Sequence, residues 1–298
     1  MSALDISGVT KRYGGVTALQ NLDLTVSEGE VFGFLGPNGA GKTTTIDVVL
    51  DYAKPTAGTV EVFGIDAQQD PVGVRQQVGV LPEGFNVLGE MTAREHVEFA
   101  VRSKDATDDV EKLLDLVGLT PAADRAASDY SKGMRQRLAL AMAIAGDPDL
   151  LILDEPTTGL DPNAARFVRD TVDSLSDDGT AVFFSSHILD QVEAVADRVG
   201  ILRGGSLVAV DSIDGLRQAT GAQSTLRVTL DTAASDCLDS VRSIAGVSEA
   251  SAEDHEVVVT CENSAKAAVV DAVRENGARV EDFETSEASL DELFAEYT

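Results

Sequence analysis

The sequence predicts an α/β domain over residues 1–220 followed by a small α+β domain over 221–298, and three observations carry that division. Short apolar runs, Val31-Phe32-Gly33-Phe34-Leu35, Leu150-Leu151-Ile152-Leu153 and Thr180-Ala181-Val182-Phe183-Phe184, have the length and composition of buried strands. Between the first two, Val97, Ala100 and Val101, then Leu113, Leu114, Leu116, Val117 and Leu119, recur at helical spacing. Beyond Ala219, a small polar linker (Thr220-Gly221-Ala222-Gln223-Ser224) opens a stretch of short alternating strands and helices.

The first strand runs into Gly36-Pro37-Asn38-Gly39-Ala40-Gly41-Lys42-Thr43-Thr44, which fits G-x-x-x-x-G-K-[ST]. Gly36, Gly39 and Gly41 let the backbone fold into a concave nest whose N–H groups face phosphate oxygens. Lys42 adds a point charge at the β- and γ-phosphates, and the Thr43 hydroxyl suits a Mg²⁺ ligand. The helix opening near Lys42 aims its positive end at the anion. These features predict a nucleoside triphosphate site. The second strand ends in Asp154-Glu155-Pro156, where Asp154 would belong to the magnesium shell and Glu155 would polarise the attacking water. Gly159-Leu160-Asp161-Pro162 follows, and the third strand leads to Ser185-Ser186-His187, with His187 spaced as a γ-phosphate sensor.

In this order the segments resemble the ATP-binding subunit of an ABC transporter, over about the first 220 residues. The resemblance implies a P-loop NTPase cassette carrying antiparallel β and helical subdomains, the latter at about residues 84–147. It gives Tyr13 the stacking role against adenine and makes Gly36 to Thr44 (with Pro37, Asn38, Ala40 and Thr44 as further phosphate-loop contacts) Walker A. Ser131 and Gly133 fall in the signature, Asp154-Glu155 in Walker B, Asp161 in the D-loop, and His187 in the switch position. Glu83 stands where the family usually has the Q-loop glutamine. The catalytic set so implied is Glu155, His187 and Glu83, with Thr43, Glu83 and Asp154 on Mg²⁺ and ATP as the nucleotide.

Two departures from the family pattern stand out. Tyr130-Ser131-Lys132-Gly133-Met134 replaces Leu-Ser-Gly-Gly-Gln, and Glu83 replaces glutamine. Both variants resemble the branch serving exporters of the ABC-2 type. One chain carries one P-loop and one signature, which this family uses on different protomers. The resemblance therefore implies pairing with a second copy or a similar ATPase subunit, with ATP sandwiched between them.

Thr92-Ala93-Arg94-Glu95 has the form of a capping box. The apolar residues before it, Phe85, Val87 and Leu88, have two readings: packing within the helical lobe, or a cleft over Glu83 to Arg94 that grips a coupling helix of an integral-membrane permease. The chain has 51 acidic against 23 basic residues, a net charge of −28, which argues against nucleic acid as a partner. No apolar run approaches the roughly 18 residues of a spanning helix, and Met1 to Asp5 lacks a basic leader. The expectation is attachment at the cytoplasmic face of the membrane through the permease. Arginine exceeds lysine and aspartate exceeds glutamate, a balance resembling proteins of salt-loving archaea. Cys237 and Cys261 have no metal-ligand spacing and read as small buried residues.

After the linker the pattern gives strands at Leu226–Leu230, near Val247–Ser251, Glu256–Cys261 and Arg279–Phe283. Helices are expected at Ser235–Ile244, Ser264–Asn276 and from Leu290. This β-α-β-β-α-β order is ferredoxin-like, and Ser286 to Phe294 resembles the ending of the same exporter branch. No catalytic cluster occurs there, so the domain reads as regulatory or dimer-bracing, with ligand sensing also open. Two function classes stand: the energising subunit of an exporter, or a soluble ABC ATPase acting on another macromolecule. One cassette, a short lobe and strong acidity favour the first. A GTPase is disfavoured because the guanine-specifying Asn-Lys-x-Asp motif is missing.

Overall fold

The computed structural model describes residues 1–219, 224–232 and 237–286. The expected linker residues 220–223, the start of the helix at Ser235, and the ending from Glu287, with its helix from Leu290, lie outside the described residues. The chain divides after Ile213 into two compact units.

In the first unit, β1 (Ser2–Tyr13) and β2 (Val16–Ser27) form a long hairpin. Strand β3 (Val31–Leu35) enters the glycine-rich turn and α1 (Lys42–Val49) leaves it. β4 (Ala57–Val62) and β5 (Ile65–Asp66) then complete an antiparallel sheet ordered β2-β1-β4-β5. The chain continues through α2 (Pro71–Gln77), β6 (Val78–Leu81), α3 (Ala93–Ser103), α4 (Val110–Leu116) and α5 (Lys132–Ile144). It closes with β7 (Leu150–Asp154), α6 (Pro162–Asp177), β8 (Ala181–Ser186), α7 (Leu189–Glu193), β9 (Arg198–Arg203) and β10 (Ser206–Ser212). The second sheet is ordered β10-β9-β3-β8-β7-β6, parallel except for β10 at its edge.

Every residue of β3, β7 and β8 is buried. That is why these strands read as unbroken apolar runs rather than alternating ones. The core joins both sheets through Leu4, Leu19, Leu22, Phe32, Phe34, Ile152 and Phe183, with Phe32 and Phe183 stacked at 6.0 Å. The register fixes the site: Leu35 pairs with Ser186, and Asp154 pairs with Ser185. The glycine-rich turn, the two carboxylates and His187 therefore emerge at one edge, the carboxyl ends of parallel strands, where α/β sheets bind ligands.

The capping box expected at α3 is present in both directions. Thr92 Oγ1 accepts from Glu95 N at 3.2 Å and Thr92 N donates to Glu95 Oε2 at 2.8 Å. These bonds hold the Glu95 carboxyl below its ordinary pKa. Lys104, at the end of α3, donates to the carbonyls of Arg75, Gln76 and Val78 and so joins the lobe to the carboxyl end of α2. Burial lowers its pKa. One expected lobe position differs: Leu116 is exposed. Helix α4 is only two turns long and buries Leu114, with Val117 and Leu119 following it into the core.

In the second unit, after α8 (Ile213–Ala219), the order is β11 (Ser224–Leu230), α9 (Leu238–Arg242), β12 (Val247–Glu253), β13 (Glu256–Cys261), α10 (Lys266–Glu275) and β14 (Val280–Ser286). Its antiparallel sheet is ordered β12-β13-β11-β14. Alternate residues of β11 and β13 pack with Val241, Val269 and Val273 from the helices, and both cysteines are buried in this core. The helix expected from Ser264 starts at Lys266, behind a single 3-10 turn at Asn263–Ala265.

Candidate nucleotide site

The glycine-rich turn closes tightly at Gly41, whose φ is +117° and where a Cβ would stand 2.8 Å from the Ala18 carbonyl oxygen. Only glycine meets both conditions without strain. The next residue, Lys42, is buried, and its ammonium donates to the Gly36 carbonyl at 2.6 Å. It also stands 3.2 Å from Glu155 Oε1. Pro37, Asn38 and Gly39 are exposed at the lip of the turn, while Ala40 is buried beneath it.

Glu155 is buried, with hydrogen bonds to one oxygen and a counter-charge at the other. His187 Nδ1 lies 2.8 Å from Oε2, and Thr158 Oγ1 donates to the same oxygen at 2.9 Å. An ionised carboxylate only accepts, so Nδ1 carries the proton in this contact. Oε1 receives no hydrogen bond among the described residues; Lys42 serves it as a counter-charge alone. This leaves one buried oxygen of Glu155 with an open acceptor position beside a cavity. A general base needs that geometry.

Asp154 is also buried. Its Oδ1 accepts from Ser185 Oγ at 2.6 Å, and the Thr43 hydroxyl bonds to the same carboxylate. Burial is the largest cause of its raised pKa, with the Glu155 charge adding to it. Asp47 of α1 is likewise raised, first by burial and then by Asp154. A buried carboxylate beside a threonine hydroxyl, short of positive charge, suits a hard divalent cation with oxygen ligands. Among the described residues no group of three or more acidic, histidine or cysteine side chains forms a self-contained metal site.

Two residues in this site have no role in the motif reading. Ser185 donates to Asp154 and accepts from Glu155 N at 3.0 Å, so one hydroxyl joins the two acidic residues. Thr158 supports Oε2. Ser185 has a visible signal, a polar residue closing an otherwise apolar strand next to His187; Thr158 has none, because only the turn after β7 brings it back.

The remaining expected residues separate into distinct places. Glu83 is exposed after β6 and lines a cavity of about 440 Å³ with Glu155, Thr158, Phe85, Lys132 and Arg135. Ser131 caps α5, accepting from Met134 N at 3.2 Å. Asp161 caps α6, accepting from Asn163 N and Ala164 N. Ser131, Gly133 and Asp161 share a second cavity of about 280 Å³ that contains no residue of the phosphate turn. Tyr13 is half-exposed at the tip of the hairpin, with Lys11 Nζ 4.7 Å over its ring.

Comparison with known proteins identifies the family. Residues 19–158 match the ABC transporter family, and residues 212–298 match the C-terminal domain of DrrA1-3-like ATP-binding proteins. The chain is 34% identical to the daunorubicin resistance ATP-binding protein DrrA3 of Streptomyces coeruleorubidus, over 100% of this chain and 96% of that one. It is 38% identical to the bacitracin transport ATP-binding protein BcrA of Enterococcus faecalis, over 72% and 71% of the two chains. Among solved structures, an ATP-binding subunit of an ABC transporter superposes with TM-score 0.68 at 28% identity, covering 74% of this chain and 93% of that one. A dimeric ATP-binding cassette in a post-hydrolysis state with ADP and Pi gives TM-score 0.65 at 25% identity, covering 70% and 98%.

Proposed function

The chain belongs to the ABC transporter family of ATP-binding subunits, in the branch of DrrA- and BcrA-like ABC-2 exporters, and from that premise we propose how its residues turn ATP hydrolysis into export. The observation that carries the mechanism is the contact of Glu155 with both Lys42 and His187. Incoming phosphates compete with Glu155 for the Lys42 ammonium. Once Lys42 turns to the phosphates, Glu155 Oε1 accepts a proton from the attacking water while His187 and Thr158 hold Oε2. Thr43 and Asp154, with Glu83, would hold Mg²⁺, which neutralises charge on the phosphates when bound. Tyr13 stacks on adenine at the exposed tip of the hairpin.

The signature residues act on the nucleotide of a second copy or of a similar subunit. The separation of the Ser131–Asp161 cavity from the phosphate turn supports this reading. The permease docks through the Glu83–Arg94 region, whose Phe85 lines a cleft of about 470 Å³ between α2, β6, α3 and α5 together with Tyr52, Val72, Phe99 and Met142. The large exposure of Tyr52, Val72 and Phe99 supports an apolar partner there, and no helix among the described residues is long and apolar enough to cross a membrane itself. On this reading the protein works at the cytoplasmic face of the membrane, and the permease selects the cargo. The second unit braces or regulates the paired cassettes.

An affinity pull-down of tagged protein from detergent-solubilised native membranes in molar KCl, with mass spectrometry, tests the assignment. Recovery of one polytopic membrane protein is expected. Recovery of soluble partners alone, with ATPase activity intact, would instead support an ABC ATPase acting on another macromolecule.

A further inference from the structure

The two departures from the family pattern, Glu83 and Lys132, meet in one cavity. Both line the space of about 440 Å³ whose inner wall is Glu155 and Thr158. They arrive from different elements, Glu83 on the loop leaving β6 and Lys132 as the first residue of α5. Neither side chain makes a hydrogen bond or ion pair among the described residues.

The Lys132 ammonium lies against the backbone of Gly159, occupying the position a Cβ would take there. Gly159 has φ +68°, so glycine serves both the turn and the close approach of the ammonium. Lys132 thus reaches from its own signature helix toward the loop that follows its own Glu155. A cation at the first position of a helix faces the positive end of the helix dipole, which is unfavourable. Across the cavity, Glu83 adds a negative charge to a site already holding Asp154 and Glu155 and receiving a triphosphate. Each charge is unfavourable alone, and the two are of opposite sign on one cavity.

We propose that Glu83 and Lys132 form one charge-balanced pair across this cavity, with Lys132 a positioning residue that keeps the site's affinity for triphosphate in range despite the extra carboxylate. Arg135 lines the same cavity one turn further along α5. It is the internal control. The pair rests on the reading of Glu155 as the catalytic carboxylate and binds the start of α5 to the hydrolytic site in the same chain.

The test is a set of full-length variants assayed for steady-state ATP hydrolysis at fixed Mg²⁺: wild type, Lys132→Gln, Glu83→Gln, the double variant, and Arg135→Gln with and without Glu83→Gln. Lys132→Gln leaves Glu83 uncompensated, and KM for ATP is expected to rise about tenfold, the scale of coupling between neighbouring charges. Adding Glu83→Gln, which puts the family's usual residue there and keeps an oxygen donor toward Mg²⁺, should lower KM at least about threefold relative to Lys132→Gln alone, which loss of packing would not do. An unchanged KM in Lys132→Gln, a double variant no better than Lys132→Gln, or an equal rescue of Arg135→Gln would overturn the pair. Failure of the catalytic assignment would be seen separately, as full turnover in Glu155→Gln.

Discussion

At the scale of single residues, Glu155 combines strain with support. Its φ of +50° lies in the left-handed region, which costs a non-glycine residue about 1 kcal/mol or more. The strain is held by its N–H, which reaches both the carbonyl (3.2 Å) and the hydroxyl of Ser185. Glu155→Gln keeps this backbone but removes the proposed base, so kcat is expected to fall at least about 100-fold with ATP binding retained. Single-turnover hydrolysis and nucleotide binding by filter assay check both halves. Ser185→Ala takes a donor from Asp154 and an acceptor from Glu155 N, and is expected to lower kcat about tenfold with a loss of about 1–3 kcal/mol in stability. A kcat within twofold of wild type would remove Ser185 from the site. Lys42, Asp154 and Glu155 are legible in sequence because their motif is local; Ser185 becomes functional only through the β7–β8 pairing.

At the scale of elements, α3 is the most legible. Thr92 and Glu95 are three residues apart and form a box whatever the rest of the chain does. What α3 is joined to is not legible. Lys104 serves three carbonyls near α2 and β6, some 26 to 29 residues away. Lys104→Met leaves those carbonyls short of a donor, so unfolding free energy is expected to drop by about 1–3 kcal/mol, read by urea melts against wild type. His96 is similarly hidden: a fully buried ring takes the Leu88 N–H on Nε2 at 2.8 Å and pairs Nδ1 with the Thr92 carbonyl at 2.7 Å. That fixes the neutral ring with its proton on Nδ1, and it anchors the loop before α3. Leu116 shows the limit of periodicity. It sits in an apolar run that reads as one stripe, yet a helix of two turns has room to bury only part of it.

At the scale of the whole molecule, net charge governs. With −28 on 298 residues, self-repulsion opposes the compact state, and salt screens it: the Debye length falls from about 10 Å at 0.1 M to about 3 Å at 1 M. We expect the thermal midpoint to rise on going from 0.1 M to 3 M KCl. Melting that does not move with KCl would remove salt dependence from the account of this chain. The paired state follows a different logic. The phosphate turn and the Ser131–Asp161 cavity are separate surfaces of one chain, and on the proposed reading a second cassette brings them onto one nucleotide.

The sequence by itself determines the phosphate turn, the two acidic residues, the helix caps and the buried strands. Each of these is set by the chemistry and spacing of neighbouring residues: glycine where the backbone must turn, lysine where phosphate must be met, apolar runs where both faces of a strand are covered. Tertiary structure alone decides which residues from distant segments share a space. Parallel pairing of β3, β7 and β8 puts Lys42, Glu155, Ser185 and His187 at one edge, and the fold of the lobe sets Glu83 and Lys132 on one cavity. Contacts between distant segments depend on strand order and helix docking, and the free energy of burying the whole core fixes those arrangements.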